Sequence, residues 1–182
     1  AQHMLTSGSA SERITEYTHE GLVFDVLDRG PLDGPVVLLL HGFPERASSW
    51  SAVMAILNDA GFRTVAPDQR GYSPRARPKR RRDYRVGALV GDIVALIDAI
   101  GRPVHLVGHD WGAMIAWVTA GRRPDLVSSL TAFSVPHPGA FMTGFFRSNQ
   151  ILHSWYFAFF QLPILPEKWM TRPGGSAEKW YR

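Results

Sequence analysis

Val36–Leu40 is an unbroken aliphatic run, VVLLL, inside the glycine-bounded stretch GPVVLLLHG. Five apolar residues in a row are far too few to span a bilayer. They suit a strand, and a strand with no polar position offers neither face to water. The neighbouring sequence must therefore cover it on both sides. SSWSAVMAILNDAG follows with apolar residues at helical spacing, with Ser48 or Ser49 as the expected cap and Gly61 as the stop. FRTVAPD reads as a second buried strand. In YRVGALVGDIVALIDAIG, Val86, Leu89, Val90, Ile93, Val94, Ile97 and Ile100 share one helical stripe, and Gly101 ends it. PVHLVGH reads as a strand, WGAMIAWVTAGRR as a helix and LVSSLTAFSVP as a strand. Ahead of them, RITEYTHEGLVFDVLDRG reads as two strands turning near Glu20–Gly21, with Leu22, Phe24 and Val26 alternating. Alternation of strand and helix predicts an α/β fold, a mostly parallel sheet flanked by helices on both faces.

The 182 residues are enough for one domain with a substantial core. Residues 1–10 read as a disordered leader, with Ala1–His3 a tag remnant ahead of Met4. The core is expected over 11–140. After Pro136 the rhythm changes: SWYFAFFQLPILPEKWM is aromatic and punctuated by proline, so 141–182 is expected to form a partial helical cap. The Gly174–Gly175 pair marks a flexible connection within it. There is no cysteine, which excludes disulfides, thiolate metal sites and cysteine nucleophiles. The first residues lack the apolar core of a signal peptide, and a cytoplasmic protein without a transmembrane segment is expected.

Charge is uneven. The net charge is +4, yet RARPKRRRDYR, Arg75–Arg85, alone carries seven basic residues and one acid. No aromatic ladder or nucleic-acid motif accompanies the run, so the expectation is a solvated loop leading into a helix, with no nucleic-acid partner.

Chemistry concentrates in GHDWG, Gly108–Gly112. A nucleophile elbow sets a residue on a strained turn between strand and helix, and both flanking positions must be small because backbone passes close by. Gly108 and Gly112 meet that demand. The turn lifts Asp110 above the carboxyl ends of the strands, where open α/β sheets take their ligands. The following helix aims its N-terminal N–H groups at the same spot and keeps a carboxylate ionised. An ionised carboxylate can attack an electrophilic carbon and form an ester. A dinucleotide loop or a Walker loop would need glycine spacings that GHDWGA lacks. A structural reading, with Asp110 merely capping the helix, competes on the pentapeptide alone.

LLLHGFPE, at the end of an earlier strand, favours chemistry. It has the form of an oxyanion loop, in which the backbone N–H groups of Phe43 and Trp111 converge on one point and stabilise the charge formed when an ester is hydrolysed. A tight loop here favours a cis Phe43–Pro44 bond. His41 is expected to brace the loop, and His109 to pack and hydrogen-bond locally.

Taken together, HGFPE…SSW, APDQRGYS, GHDWGAMIAW and SVPHPGAF resemble the epoxide hydrolases of the α/β-hydrolase superfamily, from about Ile14 to Pro166. Aspartate in place of serine at the elbow is typical of the branch shared with haloalkane dehalogenases. The resemblance implies a soluble hydrolase needing neither metal nor cofactor. Asp110 would be the nucleophile, attacking a lipophilic epoxide to give a glycol ester that water cleaves to a vicinal diol. It makes Tyr156 the first epoxide-activating tyrosine and Tyr181, in KWYR, the second. Phenols suit this step because they donate first a hydrogen bond and then a proton to the opening ring. Pro44, Trp50, Pro136 and Phe157 would line the pocket.

In this family the acid and the histidine that activate water follow the cap. His137 and His153 lie downstream of Asp110 but in the wrong segment. The expectation is therefore a chain without the C-terminal core strands and catalytic histidine, which does not turn over alone. Its partners would be an epoxide, water, and either a second copy or a complementing C-terminal fragment. Two alternatives keep the fold. A haloalkane or haloacid dehalogenase uses the same attack, but Phe43 stands where haloalkane enzymes often place a halide-binding asparagine. A non-catalytic binding module would hold a small apolar molecule beneath the cap.

Overall fold

Leu38, Leu39 and Leu40 are all fully buried, although successive strand residues point to opposite faces. Two separate cores account for this. The computed structural model describes residues 12–136 and Gly139. Residues 12–136 belong to the first of the two units into which the chain divides, at His137–Pro138, and Gly139 to the second.

The elements run in the expected order. They are β1 (Glu16–His19), β2 (Leu22–Arg29), β3 (Val36–Leu40), α1 (Ser51–Asp59), β4 (Arg63–Pro67), α2 (Val86–Ile100), β5 (Val104–His109), α3 (Trp111–Arg122) and β6 (Val127–Phe133). The six strands form one sheet in the order β1-β2-β4-β3-β5-β6. β3, β4, β5 and β6 pair in parallel, while the β1–β2 hairpin joins antiparallel through β2 and β4. Each parallel step passes through a helix, as crossover geometry requires.

Strand alternation sorts the core. Val36, Leu38 and Leu40 face one side with Val104 and Leu106, where Ile93, Leu96 and Ile97 of α2 and Ile115 and Ala116 of α3 cover them. Val37 and Leu39 face the other side, under Met54 of α1 and Trp50 just before it. The helical stripe read for α2 is buried at Val90, Ile93, Ile97 and Ile100, but Val86 is exposed.

The start of α1 departs from expectation. Neither Ser48 nor Ser49 caps it. The chain first forms a single 3-10 turn, Ala47–Trp50. Asp68, beyond β4, accepts the Ala47 N–H at 2.8 Å. Ser49 instead donates its hydroxyl back to the Arg46 carbonyl. A carboxylate distant in sequence supplies what a serine was expected to supply.

Two buried ion pairs join elements together. Arg63 of β4 bonds both carboxylate oxygens of Asp28 in β2, and both side chains are inaccessible. Asp92 of α2 accepts Arg70 through two nitrogens and His19 through Nδ1 at 2.7 Å. This second cluster fastens the β1–β2 turn to the segment after β4. No helix among the described residues is long and apolar enough to cross a membrane.

Candidate active site

β5 is interior to the sheet and ends at His109, so the next residue emerges at the carboxyl edge between β3 and β6. Asp110 stands there with φ 51° and ψ −121°, a region that L-residues rarely adopt. Such a conformation costs about 1–3 kcal/mol and persists only where its surroundings enforce it. The surroundings are tight. A Cβ on Gly108 would lie 2.5 Å from the Gly112 carbonyl, and one on Gly112 would strike the carbonyl oxygen of Leu40. The Asp110 carbonyl accepts the first helical N–H groups, from Ala113 and Met114, while its own N–H reaches the Phe133 carbonyl at 3.2 Å.

The side chain does not act as the helix cap that the structural reading of GHDWG requires. Asp110 is the N-cap of α3 by position, yet its carboxylate makes no capping hydrogen bond. Oδ2 instead accepts the backbone N–H of Phe43 at 3.1 Å. Oδ1 accepts no hydrogen bond from the described residues. Trp111 opens α3, so its N–H has no partner within the helix.

The loop that presents Phe43 is braced on its inner side. His41 is buried, with Nδ1 2.9 Å from the Gly42 carbonyl and Nε2 accepting the Gln69 N–H at 3.1 Å. The Gln69 side chain donates to the His41 carbonyl at 2.6 Å, and Tyr72 meets the imidazole edge-on. Burial holds the His41 imidazole below its ordinary range, although the Gly42 carbonyl works the other way. The Phe43–Pro44 bond is cis. Gly42 is as necessary as the elbow glycines: a Cβ there would lie 2.7 Å from Cβ of Asp110. The motifs do not by themselves single out Gly42 and Gln69 as parts of a site. Their signal lay in the glycine of HGFP and the glutamine of APDQRG.

Next to the elbow lies a cleft of about 410 Å³ walled by Glu45, Ser49, Trp50, Val53, His109, Phe133 and Ser134. His109 turns into it and meets Glu45 at 3.3 Å. Trp50 is one wall of it; Pro44 and Pro136 are exposed and do not line it. Phe43, Trp111 and Phe133 are more than half exposed, so three large apolar side chains surround a charged group. Tyr156, Phe157 and Tyr181 fall outside the described residues, as do His137 and His153.

A six-stranded, mostly parallel sheet with a carboxylate on a strand-to-helix elbow and a backbone donor facing it defines an α/β hydrolase. The chain belongs to the alpha/beta hydrolase fold family, which it matches over residues 35–164. It is 41% identical over 149 residues to the AB hydrolase superfamily protein YfhM of Bacillus subtilis, covering 81% of this chain and 52% of that protein. To Epoxide hydrolase A of Mycobacterium tuberculosis it is 39% identical over 160 residues, or 86% of this chain and 49% of the other. Among solved structures, an inhibitor complex of Bacillus megaterium epoxide hydrolase matches with a TM-score of 0.81 at 33% identity, over 91% of this chain and 58% of that one. The chain thus spans about half the length of the curated relatives it matches.

Proposed function

We propose that the chain supplies the nucleophile and the oxyanion hole of an epoxide hydrolase that converts a lipophilic epoxide to a vicinal diol. The observation that carries this reading is the unequal treatment of the two Asp110 oxygens. Oδ2 is held by the Phe43 N–H, and Oδ1 is left without a hydrogen bond among the described residues. In the first step Oδ1 attacks a ring carbon, the carbon–oxygen bond of the epoxide breaks, and the freed oxygen takes a proton from Tyr156, with Tyr181 as second donor. Oδ2 is then the ester carbonyl oxygen. In the second step water adds to Cγ, and the negative charge falls on Oδ2, where the Phe43 and Trp111 N–H groups receive it. Collapse expels the diol, whose leaving oxygen takes one proton of the added water, and restores the carboxylate, while the other water proton returns the tyrosinate to the phenol.

Pro44, Trp50, Pro136 and Phe157 are assigned to the substrate pocket. The exposed Phe43 and Trp111 rings support a lipophilic substrate. Water attack needs a base, and we assign it neither to His41, turned into its own loop, nor to His109, turned to Glu45. The named epoxide hydrolases among the relatives support the substrate class.

The test is exposure of the protein to a reactive epoxide, followed by intact-mass measurement and peptide mapping. An adduct of one epoxide on Asp110, absent in Asp110→Asn, is the expected result. Halide release from haloalkanes without any adduct or diol from epoxides would overturn the reading.

A further inference from the structure

The arginine-rich segment has no part in this chemistry, and its structure differs from that of a loose charged tail. It leaves the carboxyl end of β4 and returns at α2. Ala76 is fully buried, and its carbonyl accepts the Gly71 N–H at 2.8 Å. The Asp83 carbonyl accepts Nη1 of the buried Arg70 at 2.7 Å, within a 3-10 turn spanning Arg81–Tyr84. Two internal anchors therefore hold the backbone while every basic side chain faces outward.

Charge pairing leaves most of them free. Arg75 is neutralised by Glu16 and Asp25. Arg82 lies 4.0 Å from Asp83, the single acid of the segment. Lys79, Arg80, Arg81 and Arg85 have no carboxylate partner among the described residues. Tyr84 and Val86, both more than a third exposed, stand within the same short stretch.

We infer that residues 77–86 form a docking surface for an anionic phospholipid bilayer. Clustered cations beside a few apolar and aromatic side chains suit an interface that has both anionic headgroups and a hydrocarbon margin. A nucleic-acid duplex is a poorer match. Reading a major groove takes a helix or a β-ribbon, and the exposed element here is one 3-10 turn. The inference rests on charge and placement and stands independently of the reaction at Asp110.

The test is sedimentation of the 182-residue protein with vesicles of phosphatidylcholine alone or mixed with phosphatidylglycerol. Binding to the mixed vesicles only, weakened by salt, is expected. Arg81→Glu should lower partitioning by about fivefold or more. Arg29→Glu, an equal charge change at the opposite end of β4, should leave it unaltered. Arg80→Glu/Arg81→Glu/Arg82→Glu should abolish binding while the melting curve is retained. Tyr84→Ser/Val86→Ser should weaken binding without changing its salt slope. Equal binding to both vesicle types, or full retention by the triple variant, would overturn the inference. So would tight binding to a short DNA duplex that displaces vesicles and ignores the Tyr84 and Val86 changes.

Discussion

The Phe43 N–H lies 3.1 Å from Oδ2 of Asp110, so the loop after β3 and the elbow after β5 meet on a single oxygen atom. Sixty-seven residues separate the two in sequence. Parallel pairing of Leu40 with Gly108 brings them together, because it aligns the ends of both strands.

Replacing Asp110 with Asn removes the proposed nucleophile and little else, since the side chain does not cap α3. Adduct formation with a reactive epoxide should fall by more than about a thousandfold. Thermal unfolding should barely change. Intact-mass time courses and a melting curve on the same preparation check both halves.

Gly42→Ala should act differently. The new methyl group would lie 2.7 Å from Cβ of Asp110 and must displace it. A displacement near 1 Å at a reacting group can cost up to about a hundredfold, so adduct formation should slow by about 10- to 100-fold. Gly112→Ala presses on the Leu40 carbonyl instead and should mainly cost stability, about 1–3 kcal/mol by urea titration.

The elbow was legible because its requirement is local: two small residues flanking a reactive one, between a strand and a helix. The hairpin turn at Glu20–Gly21 was legible for the same reason, and both residues have positive φ. What escaped the sequence depends on partners far along the chain. Ser48 and Ser49 satisfy every local rule for a cap, yet Asp68 does the work from 21 residues away. Arg63 is the one charged residue of the buried strand β4, and nothing nearby in sequence points to Asp28 as its partner, 35 residues earlier. Asp92 interrupts the α2 stripe for a similar reason, because Arg70 and His19 meet it there. Of the candidate site, Asp110 and Phe43 could be read from motifs. The clamp of Gln69 on His41 could not, since it depends on β3 and β4 lying side by side.

Asp28→Asn should be among the most damaging single changes in the described region. It leaves the Arg63 guanidinium buried without its counter-charge. Removing one partner of a buried pair costs about 3–5 kcal/mol. Urea unfolding of the variant measures it directly. A double replacement of Asp28 and Arg63 by apolar residues should recover part of the loss.

Acid should weaken the loop after β3. Burial lowers the affinity of the folded state for a proton on His41, so the unfolded chain binds that proton more readily. The stability associated with neutral His41 is therefore complete above its unfolded pKa, about 6.5, and declines as the pH falls below it. The melting temperature should drop with decreasing pH from that point. His41→Gln, which cannot titrate, should show a shallower decline over the same range.

The two cores on either side of the sheet are unequal, and this has a mechanical consequence. Asp110 stands on β5 and α3, whose side chains belong to a cluster of 17 buried residues. Phe43 is carried by the segment leading to α1, which rests on a cluster of only six. The candidate site is thus set like an anvil opposite a spring. The aspartate is backed by the larger of the two clusters. Hydrogen exchange should accordingly be slower for β5 and α3 than for the segment that carries Phe43.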